Sequence, residues 1–166
     1  MRSIKQDALK PSERVGELFA VQMLLLMLGF LVYHLVADTG FYTDEFGLFE
    51  KLCLFGPIVA AMYAPLTRLI LGRRNPARPL EASADLLQAL GSLWLLMVFP
   101  FDYSHLPDAL PGFLRFTLSW VTDDIARIVF ILMIAVGMIS AIGIMWRYVT
   151  FPRLREETIH QPSSPR

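Results

Sequence analysis

Two groups of residues in this chain have the types from which chemistry is built. The first gathers His34, Asp102, Tyr103, His105, Asp123, Asp124 and Arg127. Imidazoles and carboxylates ligate transition metals, a histidine pair can hold a haem, and an ionisable group at membrane depth can relay protons. Each has a plainer role beside it. A histidine near a helix end satisfies a local hydrogen bond, and Asp102 with Asp123 or Asp124 can neutralise Arg127, which stands one turn inside an apolar run. Haem sites in membranes want their histidines well inside facing helices, whereas His34 and His105 lie near segment ends. The expectation is therefore no metal and no cofactor.

The second group is Gln22, Arg68, Asp85 and Gln88, flanked by Arg73 and Arg74. Arg68 can pair with Asp85, or join Arg73 and Arg74 in binding an anionic lipid headgroup. It can equally snorkel to the interface a turn away. The two glutamines suit hydrogen bonds between helices, worth about 1 kcal/mol or less each. Other chemistries fit poorly. A voltage sensor needs arginines in regular register, and Arg127 and Arg147 stand at opposite ends of one apolar segment. Ser92 and Ser140 have no histidine at their depth to activate them. A coupled pump would carry a carboxylate in mid-membrane, and every Asp and Glu falls in a link, a tail or at a helix edge. The single cysteine, Cys53, permits no internal disulfide and no CxxC motif, and sits in an apolar run as a small hydrophobe.

The elements that must position these groups are set by composition. Of 166 residues, 55% are hydrophobic and only 18% charged, with a mean hydropathy of +0.50. Soluble domains run near ~25% charged, so the chain reads as an integral membrane protein. With 15 basic and 15 acidic residues it lacks the basic excess of a nucleic-acid binder. Four apolar segments follow one another: Leu18–Ala37, Leu52–Leu71, Leu86–Phe101 and Ile125–Tyr148. At 1.5 Å per residue the first covers about 30 Å, the thickness of a bilayer core. A bilayer demands that backbone groups be satisfied within the segment, so these are expected to be α-helices, over about 18–37, 48–71, 80–101 and 124–149. Pro79 suits a helix start with Glu81 and Asp85 at its positive end, which lengthens the third helix. The first segment exceeds a signal-peptide core, and Leu35 is wrong for a cleavage site after Ala37, so it reads as a retained anchor.

Direction comes from Lys and Arg. They crowd the first tail (residues 1–17), the link between segments two and three, and the last tail (residues 150–166), and are sparse in the other two links. The positive-inside rule puts both termini in the cytoplasm of a plasma or inner membrane. That orientation divides the neutral chain into a face with twelve basic and seven acidic residues (+5) and one with three basic and eight acidic residues (−5). Aromatic clusters at the segment ends read as interfacial belts.

Three local features complete the reading. Pro57 and Pro65 should kink or interrupt helix two. Gly56, Ala60 and Ala64 form a smooth stripe on that helix, matched by Gly137, Ser140 and Ala141 on helix four, so helices two and four are expected to pack together, within one chain or between chains. Residues 109–122 carry helical apolar spacing and are expected to lie as a short interfacial helix or as an extension of helix four. The polar tail from Pro152 is expected to be mobile. The fold expectation is an all-α, four-helix transmembrane bundle. The functional expectation is a small non-enzymatic membrane component that meets the lipid bilayer and packs with itself or a larger membrane complex. The alternatives are a transporter or channel protomer whose Pro-kinked helix two lines a path, and a haem or metal redox protein using His34 and His105.

Overall fold

In the computed structural model the backbone is described for residues 9–160, and side chains as far as Trp146, with Asn75 excepted. Expectations that fall on residues 1–8 and 161–166 lie outside the described residues. The described chain is helical and holds no strand. Its α-helices are α1 (Pro11–Val36), α2 (Leu48–Leu71), α3 (Arg78–Val98) and α4 (Asp123–His160). Three of them, α1, α2 and the Asp123–Trp146 part of α4, are long and apolar enough to cross a membrane.

The helix ends follow local chemistry. α1 starts at Pro11, a turn or two before its apolar run: proline needs no N–H partner at a helix start, and the Glu13 carboxylate accepts the Lys10 N–H at 2.9 Å. α2 runs unbroken through Pro57 and Pro65, both buried, and ends at Gly72 in the left-handed conformation (φ +62°). The Gly72 carbonyl also accepts the Leu9 N–H at 2.9 Å, which ties the start of the described chain to this turn. α3 starts at Arg78 with Pro79 in its first turn, as the sequence indicates. It is 21 residues long and less apolar than α1, α2 and the Asp123–Trp146 part of α4, because Glu81, Asp85, Gln88 and Ser92 recur along one side of it. α4 continues to His160 instead of stopping at 149, so the stretch expected as mobile tail is helical as far as that residue.

Packing runs in chain order. α1 lies on α2, α2 on α3, and α3 on α4. The expected pairing of α2 with α4 inside the chain is thus not formed, because α3 lies against both. The small residues that allow close approach are on α3, whose buried positions are Ala82, Ala84, Ala89, Gly91, Ser92 and Leu95. A Cβ at Gly91 would come within 2.4 Å of the Cys53 carbonyl of α2, and one at Gly137 of α4 within 2.8 Å of the Asp85 carbonyl of α3. A Cβ at Gly56 would meet nothing within 4 Å, so the stripe on α2 makes no such approach there.

At one end the α1–α2 link and the α3–α4 link close over the bundle. Tyr42 and Phe101 form an isolated antiparallel bridge, with Asp102 N–H donating to the Phe41 carbonyl at 2.8 Å and Thr43 N–H to the Pro100 carbonyl at 3.2 Å. Phe41, Phe46, Leu95, Phe101, Leu106 and Phe130 form the hydrophobic core beneath that bridge. The expected interfacial helix over 109–122 is not an α-helix. The link forms 3-10 turns at Tyr103–Ala109 and Gly112–Thr117. Pro107, Pro111 and Gly112 punctuate it, and the Thr117 and Ser119 hydroxyls take backbone carbonyls three residues back (2.6 and 3.1 Å). Phe113, Phe116 and Trp120 project outward from it, whereas Leu118 and Val121 pack onto the core.

Candidate functional site

The structure divides the candidate residues between two ends of the bundle, called here the acidic and the basic end.

At the acidic end His34 is 1% exposed, set between the Phe30 and Phe41 rings at centroid distances of 4.9 and 4.7 Å. Its Nδ1 lies 2.5 Å from the Thr39 hydroxyl, while Nε2 has no hydrogen-bond partner. His105 serves a different neighbourhood: its Nδ1 is 3.0 Å from Asp108, its Nε2 3.9 Å from Asp102, and its ring lies over Gly40. Gly40 has φ +88° and would bring a Cβ to 3.1 Å from that ring, so glycine is required there on both counts. Asp108 also pairs with Arg115 at 3.3 Å. Asp102 caps the turn that follows it, accepting from the Ser104 hydroxyl at 2.6 Å and the Ser104 N–H at 3.0 Å, and these bonds hold its carboxyl below the usual carboxylate range. Asp123 accepts the Tyr103 N–H at 3.1 Å. Asp124 and Arg127 are exposed. The expected neutralisation of Arg127 by Asp102, Asp123 or Asp124 does not occur, because those first two carboxylates cap backbone; its guanidinium stacks 4.4 Å above the Phe99 ring instead. Among the described residues no group of three histidine, cysteine or carboxylate side chains could hold a metal ion. The acidic end is a hydrogen-bonded cap over an aromatic core.

Two tyrosines of this cap give it a pH signature. Burial raises the phenol pKa of Tyr42 and of Tyr103 well above the ordinary value of 10.0, with the neighbouring Asp123 adding to the effect at Tyr103. The Tyr42 hydroxyl donates to the Leu31 carbonyl at 3.0 Å, so ionisation would also remove that bond. The folded state holds these protons more tightly than the unfolded one. Their stabilisation is thus complete below pH 10 and is lost as pH climbs above it. Alkaline titration followed by tyrosinate absorbance, compared with Tyr42→Phe and Tyr103→Phe variants, should show these two ionising only together with unfolding; reversible ionisation of either near the ordinary value would contradict this.

The basic end holds a cleft of about 310 Å³ lined by Leu9, Glu13, Glu17, Arg68, Arg74, Arg78 and Glu81. Arg68 is its centre. From α2 it donates to Glu17 of α1 at 3.2 Å and to Glu81 of α3, so one guanidinium joins three helices. Its side chain is only 17% exposed. Arg74 pairs with Glu13. The expected Arg68–Asp85 pair is absent: Arg68 is taken by two glutamates, and Asp85 instead accepts from the Ser140 hydroxyl of α4 at 2.5 Å. Gln88 bonds Ser92 within its own helix at 2.9 Å and does not bridge helices, and Gln22 is exposed on α1. Arg73 is exposed beside Arg74.

Sequence reasoning missed Glu13, Glu17 and Glu81 as partners, and also the line they begin. Glu81, Asp85, Gln88 and Ser92 recur at spacings of four, three and four, which puts them on one side of α3. This line leads from the cleft to Ser92, which is fully buried, and the next turn up is Leu95 of the hydrophobic core. A further missed contact is Trp94, whose indole N–H donates to the Glu50 carboxylate at 3.0 Å.

Chemically, the basic end offers paired charges and a mixed-sign cleft; the acidic end offers a buried imidazole bonded to Thr39, with Asp108 within electrostatic reach. Comparison with protein-family models, with characterised proteins and with solved structures finds no match to this chain.

Proposed function

We propose that this chain is a small accessory or structural component of a membrane, built as four crossings with both termini in the cytoplasm and associating with itself or with a larger membrane complex. The observation that carries the reading is the state of α1. An eighteen-residue apolar stretch of it contains no buried residue, so it lies against one neighbour and offers the remainder of its surface to lipid or to another protein. The groups able to do chemistry support it too. Arg68, Glu17, Glu81, Asp85, Asp102 and Asp123 are each spent on tying helices or turns together. α3 is the fourth crossing in this reading, its carboxylates partnered by Arg68 and Ser140 and so tolerable at membrane depth. The basic end then faces anionic inner-leaflet lipids, with Arg73 and Arg74 at the headgroups.

The channel or transporter alternative draws on the polar line of α3. Against it, α2 runs unbroken through Pro57 and Pro65, both of which are buried, with the Pro57 ring facing Gly91, and the polar line stops beneath an aromatic layer. The test is the mass of the purified full chain in lipid nanodiscs, combined with reporter fusions at the C-terminus and in the Asp102–Thr122 link. An oligomer or a stoichiometric complex with a cytoplasmic C-terminus is expected. A monomer in lipid would overturn the association, and an external C-terminus the orientation.

A further inference from the structure

The side of α1 turned away from the bundle is apolar almost throughout. Numbered as a heptad with Val15 at position a, the a positions are Val15, Gln22, Gly29 and Val36, and the d positions are Leu18, Leu25 and Val32. All seven are exposed, the apolar ones between 38% and 79%. Glu17, Leu31 and His34 occupy c and f positions on the opposite side and face the bundle, through Arg68, the aromatic core and Thr39. The rest of the surface turned away from the bundle is apolar as well, with Phe19, Met23, Leu26, Met27 and Tyr33 exposed beside this seam.

Gln22 says what covers the seam. It is the one polar side chain of the stripe, it lies a turn inside the apolar run, and it makes no hydrogen bond within the described residues. A primary amide facing hydrocarbon is costly unless partnered. It is also self-complementary, since one amide donates through N–H and accepts through C=O. Two copies inserted in one orientation have parallel α1 helices, and a two-fold axis sets each a position against itself. Gln22 then meets Gln22, and Gly29, where a Cβ would meet nothing within 4 Å, lets the helices close one turn-pair further along. We propose that α1 is the dimerisation helix of this protein, pairing in parallel with α1 of a second copy through the Val15–Leu18–Gln22–Leu25–Gly29–Val36 seam, with reciprocal amide hydrogen bonds between the two Gln22 side chains. This rests on the reading above that the protein works by association, and names the partner.

Disulfide cross-linking in native membranes tests it. In a Cys53→Ser background, single cysteines at Gln22, Gly29 and Val36 should cross-link between copies on mild oxidation, whereas cysteines at Met23 and Met27, exposed but off the seam, should not. In full-length protein reconstituted in vesicles and followed by energy transfer, Gln22→Leu should weaken self-association about three- to tenfold, and Gln22→Asn should keep most of it. Cross-linking that ignores the seam, cross-linking at 23 and 27 in preference, or undiminished association of Gln22→Leu would overturn the proposal. A stoichiometric complex with a different membrane protein and no cross-link between copies would overturn it while leaving the accessory reading standing; a monomer throughout would overturn both.

Discussion

Replacing Arg68 with leucine is expected to destabilise the protein by about 2–3 kcal/mol in detergent-solubilised unfolding. The guanidinium joins Glu17 of α1 and Glu81 of α3 to α2, and Glu17 is 19% exposed beside it. Leucine removes the cation that the two carboxylates share at the end of an apolar bundle. Removing one member of a buried pair costs about 3–5 kcal/mol, and partial exposure of Glu81 lowers that figure. Arg68→Lys should recover only part, because an ammonium lacks the planar fork that reaches two carboxylates at once. Glu17→Gln should cost about 1 kcal/mol, since Arg68 keeps Glu81. Combining Glu17→Gln with Arg68→Leu should cost less than the sum of the two alone, as members of one network do. Arg74→Ala removes a more exposed pair and should change stability by less than about 1 kcal/mol. If Arg68→Leu and Arg74→Ala proved equal, the clamp would have no special standing.

The same cluster marks the boundary of what the sequence made legible. That helices would form was readable, since runs of about twenty apolar residues leave the backbone no alternative in hydrocarbon. Proline at Pro79 placed the start of α3 correctly, and Pro11 would have placed α1 had it been read the same way. Arg68 was legible as a cation near the inner end of helix two, with Asp85, a lipid headgroup or the interface as its destinations, whereas its partners are Glu17 and Glu81. Glu17 is 51 residues away in the chain, and spacing on one helix says nothing about which neighbour faces it. The acidic end was legible as residue types only. His34, Asp102 and His105 were seen as one cluster because topology brings them to one end, yet each bonds within five residues of itself: Thr39, Ser104 and Asp108. Short-range side-chain bonds win over longer contacts here, and Pro107 and Pro111 keep the second link in short turns. On α1 the sequence is apolar on nearly every side and marks no face as the one that packs; only exposure separates the side on α2 from the side that carries Gln22.

Small residues provide the sharpest contrast between spacing and structure, and the second large effect. Gly91→Ala is expected to destabilise by about 3 kcal/mol, at the upper end for overpacking. A methyl there would sit 2.4 Å from the Cys53 carbonyl oxygen and 3.3 Å from the Pro57 ring. Neither can turn away: one is helix backbone, the other a ring fixed to it. The substitution must push α2 off α3 along the seam that also carries the Glu50–Trp94 bond. Gly137→Ala should cost about 1–2 kcal/mol, because its methyl meets the Asp85 carbonyl at 2.8 Å and the Ala89 Cβ at 3.2 Å, and a slight shift of α4 relieves both. Gly56→Ala should be neutral or slightly stabilising, since a Cβ there meets nothing within 4 Å and alanine favours the helix. Spacing alone ranks Gly56 first, as head of the stripe Gly56–Ala60–Ala64, and leaves Gly91 unremarked. Unfolding midpoints of the three variants therefore decide between two packings. The order Gly91, Gly137, Gly56 follows if α3 lies between α2 and α4. A large loss at Gly56 with little at Gly91 would mean that α2 meets α4 directly, which would displace α3 and detach the polar line of Asp85 and Ser140 from its place between helices.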